Sequence, residues 1–202
     1  AVAALVGAGG MWSVRAADPQ PLYRVSSDAV VSETALRAAI DPLFDEADMG
    51  DTRALLVMRD GQVIAERYAP GFGPDTKLLS WSIAKSVTAV LVGLMVSDGR
   101  LALDSPVPVD AWRQPGDPRG RITLRQLLTM TSGLDHVEDG DPLPAGDTVR
   151  MLFTDGAQDM SGFAEAKPLA HAPGSTFSYS TGSTMILTDL MTRMLTNSDD
   201  PD

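Results

Sequence analysis

Two apolar, β-leaning runs, 54–59 and 62–68, flank the dipeptide Asp60–Gly61. A two-residue Asp-Gly loop between such runs predicts a β-hairpin, because glycine accepts positive φ without steric cost. Ahead of them, Leu36, Ile40 and Leu43 recur at helical spacing behind Ser32. That pattern predicts an amphipathic helix over 32–47 with Ser32 as N-cap. From Ser82 to Ser97 nearly every position is apolar, and Gly99 marks the end of the run. A helix with so little polar face is expected inside a fold, packed on several sides. A proline- and aspartate-rich stretch, 101–120, precedes a short helix predicted over 123–130 and closed by Thr131–Ser132–Gly133. Weaker helical patterns lie around 148–154 and 157–167. The run 176–180 reads as extended, and helical periodicity resumes over 185–195. No internal repeat interrupts this order.

Composition removes several function classes. The chain has 202 residues, room for one sizeable domain or two small ones, and a formal net charge of −11. Arginines are scattered and there are only three lysines, which excludes a phosphate-binding surface and with it nucleic acid as partner. With no cysteine there are no disulfides, thiolate nucleophiles or Cys-ligated zinc, and two histidines do not make a His-rich metal site. Hydrolytic chemistry would have to rest on Ser, Lys, Tyr and carboxylates. Asp135, Glu138, Asp139 and Asp141 suggest calcium, but Val137 and Gly146 stand where an EF-hand loop needs oxygen ligands. The expectation there is a solvated acidic loop, and a surface position for His171.

The first 21 residues read as part of an export signal or membrane anchor with its linker: small and apolar to Val14, then Arg15 and Ala16–Ala17–Asp18–Pro19. The expectation is an exported or membrane-anchored, periplasmic protein, with a cytoplasmic one as the alternative. A dinucleotide loop at 6–10 fails because Trp12 stands where the fingerprint requires glycine.

Candidate chemistry gathers at Ser82–Ile83–Ala84–Lys85. Residues three apart share a helix face, so hydroxyl and amine can meet. A serine hydroxyl becomes a good nucleophile when a base takes its proton. Lysine can do so if its pKa falls, and both burial and an electropositive helix N-terminus push it down. The same N-terminus offers the Ser82 N–H to a developing oxyanion.

The stretch 79–88 resembles the first motif of the class C β-lactamase-related family of penicillin-recognising serine hydrolases, which includes esterases, D-amino-acid peptidases and 6-aminohexanoate-dimer hydrolases. Segments 98–107 and 122–134 resemble the segment after its nucleophile helix and its most recognisable helix and turn. The segment 173–182 resembles its second motif and places Tyr179 at the catalytic tyrosine. The resemblance runs from about Leu22 to Leu195. It implies an α/β fold: a β-lactamase/DD-peptidase-like sheet flanked by helices, with a helical subdomain inserted around 100–175. It implies catalysis by Ser82, Lys85 and Tyr179 through a Ser82 acyl-enzyme on small esters or amides, with no cofactor and no metal. Thr181 stands where the family usually has Asn, which leans away from β-lactams toward the esterase and 6-aminohexanoate-oligomer branch. β-Lactamase or D-amino-acid peptidase activity, a catalytically inactive binding relative, and a piece without independent activity are the alternatives. The family's third motif, a Lys or His on a late strand, has no counterpart among the 23 residues after Tyr179. The expectation is therefore that residues 22–202 are the N-terminal portion of a longer hydrolase domain whose C-terminal strands are missing, an enzyme in the full-length product and inactive as this piece alone.

Overall fold

The computed structural model describes residues 23–25 and 31–196. The signal or anchor expected over 1–21 lies outside them. Among the described residues, no helix is long and apolar enough to cross a membrane. Contacts divide the chain into two compact units, Ala1–Leu79 and Ser80–Asp202.

The first unit holds a three-stranded antiparallel sheet, β1 (Tyr23–Val25), β2 (Ala54–Arg59) and β3 (Gln62–Tyr68), in the order β1-β3-β2. The predicted hairpin is β2–β3, and Asp60 and Gly61 both have positive φ, 49° and 77°. Two positive values in succession give the hairpin turn whose twist matches that of the strands. Helix α1 (Glu33–Ile40) starts as predicted, with the Ser32 hydroxyl accepting the Ala35 N–H at 3.2 Å. It is shorter than the periodicity suggests. Pro42 has no amide hydrogen to continue the helix, and the chain tightens into a 3₁₀ turn over Asp41–Phe44 before the single turn α2 (Glu46–Met49). Leu36 and Ile40 bury against Ala65, with Tyr23, Phe44 and Leu55 packed around them.

The second unit is helical. It contains α3 (Ala84–Ser97), α4 (Leu124–Leu128), α5 (Asp147–Phe153), α6 (Met160–Glu165) and α7 (Thr181–Thr196). The helices expected between 100 and 175 are α4–α6. Helix α7 packs against the other four, and Ile186, Leu187 and Leu190 bury with Val92, Trp112, Ile122, Leu127 and Met151. Helix α4 starts in a reciprocal cap: the Thr123 hydroxyl accepts the Gln126 N–H while the Gln126 side chain accepts that of Thr123.

Helix α3 departs from expectation in two ways. Ser82 lies in a 3₁₀ turn, Trp81–Ile83, ahead of its first residue, so the nucleophile candidate precedes the helix. The helix is also not packed on several sides. Val92 and Met95 are buried, whereas Val87, Val90, Leu91 and Leu94 are exposed, because within this unit the neighbouring helix is α7 and one face meets it. Apolarity all round states a helix's preference for burial; neighbours decide how much of it is met.

Candidate active site

The Ser82 hydroxyl and the Lys85 amine lie 3.1 Å apart, a hydrogen bond in which the amine donates. The i, i+3 spacing survives although a 3₁₀ turn leads into the helix. Lys85 is half-buried, not enclosed as an all-round packed helix would have made it. Just before Ser82, Trp81 holds a positive φ of 44°, a region that L side chains rarely adopt. The Ile83 N–H donates to the Ser80 carbonyl at 3.0 Å across this turn. These contacts hold Ser82 on the exposed rim of a cavity of about 290 Å³.

Tyr179, 94 residues beyond Lys85 in sequence, lines the same cavity, with the Lys85 amine 5.1 Å from the centre of its ring. All three residues singled out in the sequence therefore line one cavity. The cavity floor is apolar, from Leu127, Leu128, Met130 and Leu187, with Thr184 at the start of α7. Tyr179 reaches it from residues 176–180, which form neither helix nor strand where the sequence predicted an extended run. That segment is fixed on one side where the Ser178 N–H donates to the Met130 carbonyl at 2.8 Å.

Thr181 does not line the cavity. It is 7% exposed, and its N–H and hydroxyl both donate to the Glu138 carboxylate, at 2.6 and 2.5 Å. Glu138 is thus misread from sequence as one of four solvated acids. Asp135, Asp139 and Asp141 are exposed, but Glu138 is half-buried, with the His136 ring nitrogen 3.3 Å away. Burial pushes its carboxyl up, but hydrogen bonds from His136, Thr181 and Thr148 outweigh this and hold its pKa at about 2. Nothing in the local sequence distinguishes Glu138 from its acidic neighbours, since its partner lies 43 residues away. Beside it, buried Asp147 accepts the Val137 N–H at 2.9 Å and pairs with Lys167 at 2.5 Å. His171 is exposed, as expected, and takes no part in the cavity.

The site thus sets a serine hydroxyl against a lysine amine ahead of α3, with a distant tyrosine lining the same cavity. The family model for beta-lactamase matches residues 45–198, and the chain belongs to that family. It is 31% identical over 113 residues to 6-aminohexanoate-dimer hydrolase of Paenarthrobacter ureafaciens, covering 56% of this chain and 29% of that protein. It is 31% identical over 171 residues to esterase EstB of Burkholderia gladioli, covering 72% of this chain and 42% of that one. A solved structure named "Putative 6-aminohexanoate-dimer hydrolase from Bacillus anthracis" shares the fold, with a TM-score of 0.59 at 23% identity, over 79% of this chain and 43% of that one. The chain thus spans less than half the length of the relatives it matches. The α/β, β-lactamase-like fold expected from the sequence is the fold observed.

Proposed function

We propose that Ser82, Lys85 and Tyr179 are the reacting groups of a serine hydrolase that cleaves small esters or amides without a cofactor. The observation that carries this reading is the 3.1 Å contact between the Ser82 hydroxyl and the Lys85 amine, with Tyr179 over the amine. The Ser82 oxygen attacks the acyl carbon while its proton passes to Lys85. The tetrahedral adduct collapses to an ester on Ser82, and the departing oxygen or nitrogen takes up a proton relayed from Lys85 by the Tyr179 hydroxyl. Water then attacks the ester, giving its proton back through the same groups, and releases acid and free Ser82. The apolar floor favours an acyl or alkyl chain over a highly charged one. Relatives named as an esterase and as a 6-aminohexanoate-dimer hydrolase support the ester-or-amide reading over a β-lactam one.

A fluorophosphonate probe with peptide mapping tests this. In the full-length product, labelling is expected on Ser82, and Ser82→Ala should abolish it together with turnover of a short-chain p-nitrophenyl ester. Labelling that persists in Ser82→Ala would remove the serine from the mechanism. Turnover of nitrocefin in preference to the ester would move the substrate class to β-lactams.

A further inference from the structure

We propose that Glu138 is the positioning residue that sets Tyr179 over Lys85, with Thr181 serving as its handle on the chain. The inference rests on the reading of Tyr179 as a proton-handling group. Tyr179 lies between two fixed points. On its N-terminal side the Ser178 amide is held by the Met130 carbonyl. On its C-terminal side the Thr181 amide and hydroxyl are both held by Glu138. Ser180 contributes as well: its hydroxyl accepts the Ser183 N–H at 3.0 Å, so side chains satisfy the first turn of α7 and leave little play in it.

Glu138 is itself fixed from behind. The His136 ring is within 3.3 Å of its carboxylate and 3.0 Å from the Thr148 hydroxyl. That ring sits against the start of α7, where a Cβ on Gly182 would come 2.8 Å from it. A carboxylate with 20% of its side chain exposed, taking two short hydrogen bonds from one residue, is a stiff joint. Thr181 faces this joint, and it is absent from the cavity lining. Its contribution to the reaction therefore runs through the placement of Tyr179, not through contact with substrate. A displacement of about 1 Å in a reacting group costs up to ~100-fold in rate, and this is the scale on which loss of the anchor should register.

Three variants of the full chain, Glu138→Ala, Glu138→Gln and Thr181→Val, carry the test. Saturation labelling with the fluorophosphonate probe separates the maximal rate from the half-saturating concentration. Glu138→Ala is expected to lower the maximal rate about 10- to 100-fold while leaving half-saturation nearly unchanged. Glu138→Gln, which still accepts the Thr181 N–H, should recover most of it. Thr181→Val, which keeps the amide bond and loses the hydroxyl, should fall between. In parallel, 3-fluorotyrosine at the three tyrosines gives three ¹⁹F signals, assigned with Tyr→Phe variants. The Tyr179 signal should shift or broaden in Glu138→Ala while those of Tyr23 and Tyr68 stay put. Wild-type rates together with an unmoved Tyr179 signal in Glu138→Ala and Thr181→Val would overturn the proposal. If wild type fails to label at all, the hydrolase reading falls by itself, and the ¹⁹F signals still decide whether Glu138 positions Tyr179. If Glu138→Ala does not fold, Glu138→Gln and Thr181→Val decide by the same two readouts.

Discussion

Trp81 is the residue whose conformation is hardest to account for without the site. Its φ of 44° belongs to the left-handed region, where a bulky side chain stores roughly 1–3 kcal/mol. Its ring gains little in exchange, since the residue is 77% exposed. The strain falls one residue before Ser82, where it turns the chain from an irregular loop into the 3₁₀ turn ahead of α3. Trp81→Gly should therefore leave the urea unfolding midpoint unchanged or raise it, while slowing the labelling of Ser82 by loosening its turn. A lower midpoint with undiminished labelling would mean that the ring stabilises the fold and the backbone is not strained for the site. The sequence showed the tryptophan but not its φ, which the loop and the helix impose together.

Helix α7 shows what an element-level pattern reveals and what it conceals. Apolar periodicity predicts its start at Met185, yet it begins at Thr181. The missed first turn is polar but buried: Ser183 is 0% exposed, and Thr184 5%. Buried Thr181 and Ser183 are acceptable there because their polar groups find partners. The Ser183 hydroxyl lies 3.4 Å from that of Ser132, and its amide donates to Ser180. Hydrophobic spacing cannot register such a turn. Gly182 follows from the same packing. Alanine in an ordinary helix position gains about 1 kcal/mol over glycine. Here its methyl would press on the buried His136 ring and come 3.2 Å from the Ala164 Cβ. Gly182→Ala is accordingly expected to destabilise the chain by about 1–3 kcal/mol, the usual cost of overpacking, as read from urea denaturation. A stabilised Gly182→Ala would show that the contact between α7 and His136 is slack.

At the scale of the molecule, the carboxylates set the response to acid. Opposing burial, the hydrogen bonds around Glu138 hold it at about 2 against an ordinary 4.5. Burial likewise opposes, and Lys167 and the Val137 amide outweigh it, in holding Asp147 down. Hydrogen bonds from Arg125 and Arg119 lower Asp104 and Asp117. A group whose folded pKa is depressed contributes stability above its unfolded pKa and loses it as pH falls through the folded value. For Glu138 the window runs from about 4.5 down to about 2. Glu165 works the other way, because burial raises it. The net charge of −11 also favours mild acid by easing self-repulsion. Thermal midpoints should therefore peak near pH ~5 and fall steeply below 4.5. Glu138→Gln should flatten that fall. A midpoint that stays level from pH 5 to pH 3 would contradict the hydrogen-bonded state assigned to Glu138 and Asp147.

The sequence by itself determined the features whose physics is local. The hairpin follows from Asp60–Gly61, the start of α1 from Ser32, and the contact of Ser82 with Lys85 from their i, i+3 spacing. Tyr179 was legible only through resemblance, since no local rule joins it to a lysine so far away in sequence. Tertiary structure alone decided the rest. It left most of α3 exposed, separated Glu138 from three neighbouring acids, and turned Thr181 away from the cavity. Each of these depends on which distant group arrives beside a side chain. Hydrogen bonding and burial are settled by that arrival, and neither composition nor periodicity records it.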